Sequence, residues 1–557
     1  MEQINFNIQE GKVNLIKKCL FIYFFLYLFA LYPLSSIGKQ TEVHFNNKFS
    51  YTYNDVSGPA GDDSSSLTRG MRYLNIFGLN ILGKDKELEY NFNFGFKATD
   101  DRRNDIKTIS PTTIYGRMTN KIHTITAGDA FESFSQYSLS TAVKGVSYRY
   151  FNEQKRLPEV TFVYGFVLPR WDTIWGGIET KAIERNAIGA RIKHNITPDL
   201  STGISFTQAK DRPGTRITET DPIYTSNNYT IDAEYRPIPG LTIRGEMSKS
   251  RTSVSPSSTA GINEDRKHGT ATKIEAIGEG GPSRASIEYE KVSTEFDALL
   301  GSATPDREKI KGKWRYNMTK RLILNLGFLW FRDNLDGQKT YRTDSYTPEL
   351  GITIKNFLSR STATADITYK FDRKYGSGSG SSTSTADHIL ALNYKDSFGP
   401  VDSDANFGYT IYSTEHNQRN SKEYTYNLLL NSRHNVGDYV LKPLVYLDGM
   451  TMRDDLILET DKIYEYSFGM GLEMPKLKLT SDVKIGQNRL EKTQSGTDNT
   501  ERTFANLNIY YKPSLFNRLK LQDGMLFLRA FINNYRFSTQ SRNFRENSIT
   551  LGCNIQY

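Results

Sequence analysis

The sequence has almost no cysteine: two residues in 557, Cys19 near the start and Cys553 near the end. A disulfide framework is therefore excluded for the body of the chain, and with no CxxCH there is no covalently attached haem. Histidine is sparse as well. The seven, His44, His123, His194, His268, His388, His416 and His434, are scattered, and there is no HExxH, no nucleophile elbow and no phosphate-binding glycine loop. Converging acid and base groups, which catalysis requires, are not visible, so an enzyme is the weakest functional class and no cofactor is expected. Beyond its first 40 residues the chain has no long apolar run, which excludes transmembrane helices there. It also has no repeat of fixed period.

What is abundant is aromatic side chain: 34 Tyr, 31 Phe and 4 Trp, although the mean hydropathy is only −0.55 and 37% of residues are apolar. So many aromatics exclude disorder. The 71 basic and 62 acidic residues leave a net charge of +9, but the two signs are mixed along the whole length with no basic stripe or tail. Nucleic acid is therefore not expected as a partner.

Lys12, Lys17 and Lys18 precede an apolar run from Cys19 to Leu34, followed by Ser35, Ser36, Ile37 and Gly38. A basic stretch, a short apolar core and small residues before a cut after Gly38 form a secretory signal peptide over residues 1–38. A retained signal anchor is the alternative, but the run is shorter than the roughly 20 residues that span a bilayer comfortably.

From Val43 onward the period is two. In the tract from Leu88 to Ala98, Tyr90, Phe92, Phe94 and Phe96 alternate with Glu89, Asn91, Asn93, Gly95 and Lys97. A helix would smear that pattern around its circumference, whereas a strand puts it on one face. Similar tracts recur along the chain, about 26 of them (24–28), each of about 8 to 13 residues and long enough to cross a bilayer at a tilt. Connections alternate between tight turns, as at Asn120-Lys121, Pro237 to Gly240, Thr319-Lys320 and Asn435 to Asp438, and long polar loops. The loops are Asn54 to Gly70, Asp211 to Asn227, Arg251 to Gly269, Ser293 to Arg307 and a flexible Lys374 to Asp387. The expected fold is all-β: a single antiparallel transmembrane β-barrel over residues 39–557, with short periplasmic turns, long external loops and both termini periplasmic. A soluble sandwich or propeller is the competing all-β reading, but it would not need Tyr and Phe on the repeated face.

At the end of the chain Ile549, Leu551, Cys553, Ile555 and Tyr557 alternate with polar residues. This resembles the C-terminal strand of bacterial outer-membrane β-barrels of the porin-like kind, which ends in an aromatic, usually Phe. The resemblance implies that Leu551, Cys553, Ile555 and Tyr557 are read by the barrel-assembly machinery, and that the strands face outer-membrane lipid.

A barrel of this strand number is wider than side chains can fill, since ~16 to 18 strands already enclose water. The first strand starts soon after the leader, so no N-terminal plug is expected. The connection containing Asp129, Phe131, Glu132, Phe134 and Tyr137 is unusually apolar. It reads first as an amphipathic surface loop or strand extension; the alternative is a fold inward, with the three aromatics on the wall and the two acids facing water. Lys309, Lys311, Lys313 and Arg315 form a basic ladder opposite in parity to Ile310, Gly312, Trp314 and Tyr316. Lumenal acids such as Asp232, Glu234, Glu246 and Asp366 are expected to neutralise it; otherwise it is an anion-attracting stripe. Two functional classes follow: a wide channel for passive solute passage, or a scaffold whose lumen holds a partner protein. The second resembles the barrel of porin–cytochrome conduits, large and without haem motifs of its own, and implies a multihaem cytochrome or lipoprotein inside.

Overall fold

The computed structural model describes residues 40–151, 157–167, 170–171, 183–215, 218, 221–255, 265–378, 381–414, 420–494, 498–518, 521 and 523–557. The expected signal peptide lies outside the described residues. The remainder is one antiparallel sheet in which each strand pairs with its sequence neighbours, and the first strand, Gln40–Ser57, pairs with the last, Phe544–Gln556. The short segment His434–Val436 continues Asn420–Ser432 against the same partner, Tyr439–Asp454. The result is a closed barrel of 26 strands.

Closure follows from the alternation. One face of every strand is apolar, and a sheet with an apolar face and no covering layer can remove its edges only by pairing its ends. Thr52 and Thr550 hydroxyls bond across that final seam at 2.9 Å. The apolar face is the uncovered one: Ile204, Ile231, Met247 and Ile287 are each about three-fifths exposed. The opposite face carries ion pairs between adjacent strands, such as Lys273 with Glu288 at 3.0 Å and Arg191 with Asp232 at 2.7 Å. An apolar exterior around a charged interior is the pattern of a transmembrane barrel, so the charged face lines the lumen.

Strands run from 9 to 18 residues, longer than the sequence suggested. The tract expected as a flexible loop, Lys374 to Asp387, is instead mostly ladder: Thr364–Gly378 pairs with Ser381–Phe398 as far as Gly378↔Ser381. Its Gly and Ser residues have little to pack, but backbone pairing needs no side chains, and a hairpin needs only about two residues at its tip. The loop expected from Asn54 also starts later, after Ser57, and contains a helical turn at Gly61–Ser64.

Three glycines in register shape one arc of the wall. Gly128 pairs with Gly145, and Gly145 with Gly165. A Cβ on Gly145 would sit 2.1 Å from Tyr164 O, and one on Gly165 would sit 2.5 Å from Lys144 O. Gly128 also has φ +100°, a conformation that side chains strongly disfavour. The backbones approach too closely there for any other residue.

Candidate functional site

Above this glycine row, two loops lie on the lumenal wall. The first, residues 132–141, follows the strand His123–Phe131; the second, residues 293–306, follows Ser283–Val292. Phe134 and Leu139 pack with Leu300 on Val143, Val163, Ala187 and Ala209, all of lumenal parity. Tyr137, fully buried, packs with Phe296 on Ala271 and Val292, the rings meeting edge to face at 5.9 Å. Small residues make room: Phe134 covers Gly189, and Phe296 runs over Gly269, where a Cβ would be 2.1 Å from its Cα.

Polar contacts fix the two loops to each other and to the wall. Ser140 N donates to Leu300 O at 2.8 Å, and Ser302 N to Gln136 O at 2.9 Å. Asn228 Nδ2 donates to both Tyr137 O and Asp297 O, and Asp297 N to Ser250 Oγ. The centre is Glu290: its carboxylate accepts from Tyr137 Oη at 2.6 Å and from Gln136 Nε2, and pairs with Lys309 Nζ at 2.6 Å. Burial and the Glu290 carboxylate push the Tyr137 hydroxyl far above the ordinary tyrosine range, so it stays a donor. Burial likewise raises Asp297. Asp306 is partly desolvated, but Lys339 and the Leu335 N–H outweigh that and hold it below the usual carboxylate range.

The other expected residues are distributed differently. Phe131 ends its strand at lipid-side parity and is 65% exposed, away from the aromatic cluster. Asp129 lies in the strand, not the loop, and bonds Lys144 Nζ at 2.7 Å, Ile114 N and Trp171 Nε1, both at 2.9 Å. Glu132 accepts from Ser147 Oγ at 3.0 Å. Among the described residues only Lys309 of the ladder has a carboxylate within 4.0 Å, from Glu288 and Glu290, two acids the sequence reading did not single out although they stand across from Lys311 and Lys309 on the next strand. Asp232 is held by Arg191, and Glu234 by Arg236 and Arg244. Glu246 lies in register with Asp232 and Lys273, and Asp366 with Thr353 and Asn393, so neither reaches the ladder.

Among the described residues, Lys311, Lys313 and Arg315 have no carboxylate within 4.0 Å. They lead down to an open cleft of about 500 Å³ at the short-turn rim, where Arg315 meets Lys320 and Lys355. The second loop was also missed as a wall element. Its signal was Phe296, Leu299 and Leu300 inside a connection expected to be polar.

At the barrel seam, Leu551 points outward and is 56% exposed, Cys553 is a half-buried free thiol, and Ile555 pairs with Asn47 and Gly524. Tyr557 exchanges both backbone bonds with Phe45. Among the described residues no group of His, Cys, Asp and Glu is arranged to hold a metal ion.

No protein-family model matches the chain, and neither does any curated protein. Among solved structures it is similar to the P pilus usher translocation pore, at 10% identity over 92% of this chain and 99% of that one, with a TM-score of 0.35. It is similar too to the ferric enterobactin receptor of Pseudomonas aeruginosa, at 9% identity over 93% and 81%, TM-score 0.38. A third is the anion-selective porin from Comamonas acidovorans, at 14% identity over 53% and 90%, TM-score 0.29.

Proposed function

We propose that this chain is an outer-membrane channel for passive passage of small solutes, with an anion preference set on one arc of its wall. In this reading residues 1–38 are a leader removed on export, residues 39–557 form the barrel, both termini are periplasmic, and the last strand is read by the barrel-assembly machinery. The observation that carries the preference is the run of lumenal cations that have no carboxylate within 4.0 Å among the described residues, Lys311, Lys313 and Arg315 down to Lys320 and Lys355. Unneutralised charge on a pore wall attracts counter-ions to its path.

Magnitudes bound the effect. With strands about 4.8 Å apart and tilted about 40°, 26 strands enclose a ring about 50 Å across if circular. The two docked loops cover the strands from Ala142–Tyr150 to Ser283–Val292, an arc of about a third, so on their own they narrow the lumen without filling it. Screening acts over about 10 Å at 0.1 M salt, so the cationic arc biases only the solution beside it. The anion preference is therefore modest, grows in dilute salt and vanishes near 1 M.

Reversal potential of the purified protein in a planar bilayer under a salt gradient tests this. The expected result is anion preference, reduced or reversed in Lys311→Glu with Lys313→Glu; an unchanged potential removes the selectivity claim. A native complex that carries haem absorbance and conducts only after stripping would replace the channel with the sleeve around a partner.

A further inference from the structure

Four cations stand on the outer face of the wall: Lys210 in the strand Leu200–Asp211, Lys249 and Arg251 in Leu241–Ser255, and Lys291 in Ser283–Val292. All are exposed. They share parity with Ile204, Met247 and Ile287 on the apolar exterior, whereas Ser248, Ser250 and Thr252, which alternate with Lys249 and Arg251, are buried on the lumenal side. Lys249 is the next outward residue after Met247, and Lys291 the next after Tyr289. The cations therefore sit at the upper margin of the apolar band, at the depth of lipid head groups.

Register puts them at one height. Through the ladders Lys210 stands level with Ser253, and Lys291 with Met247, so the four step down by two residues at a time. The short turns below step down in the same sense: Leu200 stands level with Ile243, and Leu241 with Gly278, which lies above the turn to Ser283. In tilted strands a descending line of register is level in the membrane. With strands about 4.8 Å apart and tilted about 40°, the belt is about 25 Å long.

Among the described residues none of the four has a carboxylate within 4.0 Å. The acids beside them are turned elsewhere. Glu308, across from Lys291, accepts from Tyr289 Oη at 2.9 Å, and Glu295 accepts from the His268 amide at 3.1 Å. Farther round the ring, by contrast, outward Arg332 pairs with Asp344 at 2.7 Å, Lys422 with Asp455 at 2.9 Å and Arg489 with Glu491 at 2.9 Å. Cations of one sign beside lipid repel one another unless anions join them. Neutral polar groups lie among them: Gln208 Nε2 donates to Asn227 Oδ1 at 2.8 Å, and Thr270 pairs with Lys249.

We propose that this belt binds the head of an acylated sugar lipid that carries phosphates, in the leaflet on the long-loop side of the membrane. Lysine and arginine take the phosphates, Gln208, Asn227 and Thr270 meet sugar hydroxyls, and the acyl chains lie against Met247 and Ile287. The belt is longer than one phosphate, which suits a head phosphorylated at both ends. The site is on the outside of the wall and does not depend on what crosses the lumen.

Detergent-purified full-length protein is titrated with an acylated glucosamine disaccharide phosphorylated at both ends, and bound lipid is counted by native mass spectrometry. The natural protein should retain it. Lys249→Gln with Arg251→Gln should bind it about 30-fold more weakly, at about fivefold for each cation near a charged lipid surface. Lys311→Gln with Lys313→Gln removes the same charge from the lumen and should bind like the natural protein. Unchanged binding in the Lys249 and Arg251 variant, equal loss in both variants, or equal retention of the same glycolipid without phosphates overturns the site. Displacement by the acyl-free phosphorylated disaccharide at equal concentration overturns a lipid as its occupant. If the first variant fails to assemble, Lys210→Gln with Lys291→Gln, at the two ends of the belt, is read by the same criteria.

Discussion

Gly145 shows how little freedom a single position has in this wall. A Cβ there would meet Tyr164 O and Gly165 Cα at distances no side chain tolerates, so Gly145→Val must push two strands apart. We expect a loss of about 3 kcal/mol or more, at or beyond the upper end for overpacking, seen as a lower denaturant midpoint in refolding from urea. Tyr137→Phe is milder. Glu290 keeps Gln136 and Lys309 as partners, so the cost is about 1 kcal/mol, read as faster hydrogen exchange at the amides of Ser140 and Ser302. Parity gives a third test. Leu551→Arg, at an outward position, should cost up to about 2–4 kcal/mol depending on its depth in the bilayer, whereas Thr550→Arg on the lumenal face should cost much less; equal effects would mean the faces are misassigned.

The loop 293–306 carries two carboxyls shifted in opposite directions. Burial raises Asp297, so its favourable neutral form is present at low pH and is lost as pH rises through its raised folded value. Asp306 is lowered, so its contribution is present above the ordinary carboxylate value and is lost as pH falls through the lower folded one. Docking of this loop should therefore be firmest in mildly acid solution, between those two limits. Amide exchange of Gly301 and Ser302 against pH measures it: Asp297→Asn should remove the weakening on the alkaline side, and Asp306→Asn should loosen the loop at neutral pH. Such shifts were not legible in the sequence, because Asp297 and Asp306 look alike until the fold buries the one and brings Lys339 to the other. The hairpin through Lys374 to Asp387 was misjudged for a related reason. Its Gly and Ser composition describes side chains, while its order comes from the ladder it continues.

The molecule as a whole is held by a ring of ladders with no edge. Breaking any one seam exposes two edges, so unfolding should be cooperative, and the unboiled protein should run at a different position on a denaturing gel from the boiled one. A single position for both would argue against a closed barrel. The weakest link in the ring is the seam between Ile109–Thr119 and His123–Phe131, and hydrogen exchange at residues 109–114 should exceed that of any other strand interior.

The sequence by itself determined the strands, their faces, the approximate count and the alternation of short turns with long connections, because a period of two is a local property and a bilayer fixes how long it must last. Leu88 to Ala98 could be assigned without knowing any other part of the chain. Only the tertiary structure decided which loops turn inward, which cations find carboxylate partners and which ladder of the ring is shortest. Tyr137 and Glu290 are 153 residues apart, and Lys309 found Glu288 and Glu290 rather than the acids expected for it because register, not proximity in sequence, chooses neighbours in a barrel. That stretch of wall is assembled from such distant pairs, so it came into view only when the ring was closed.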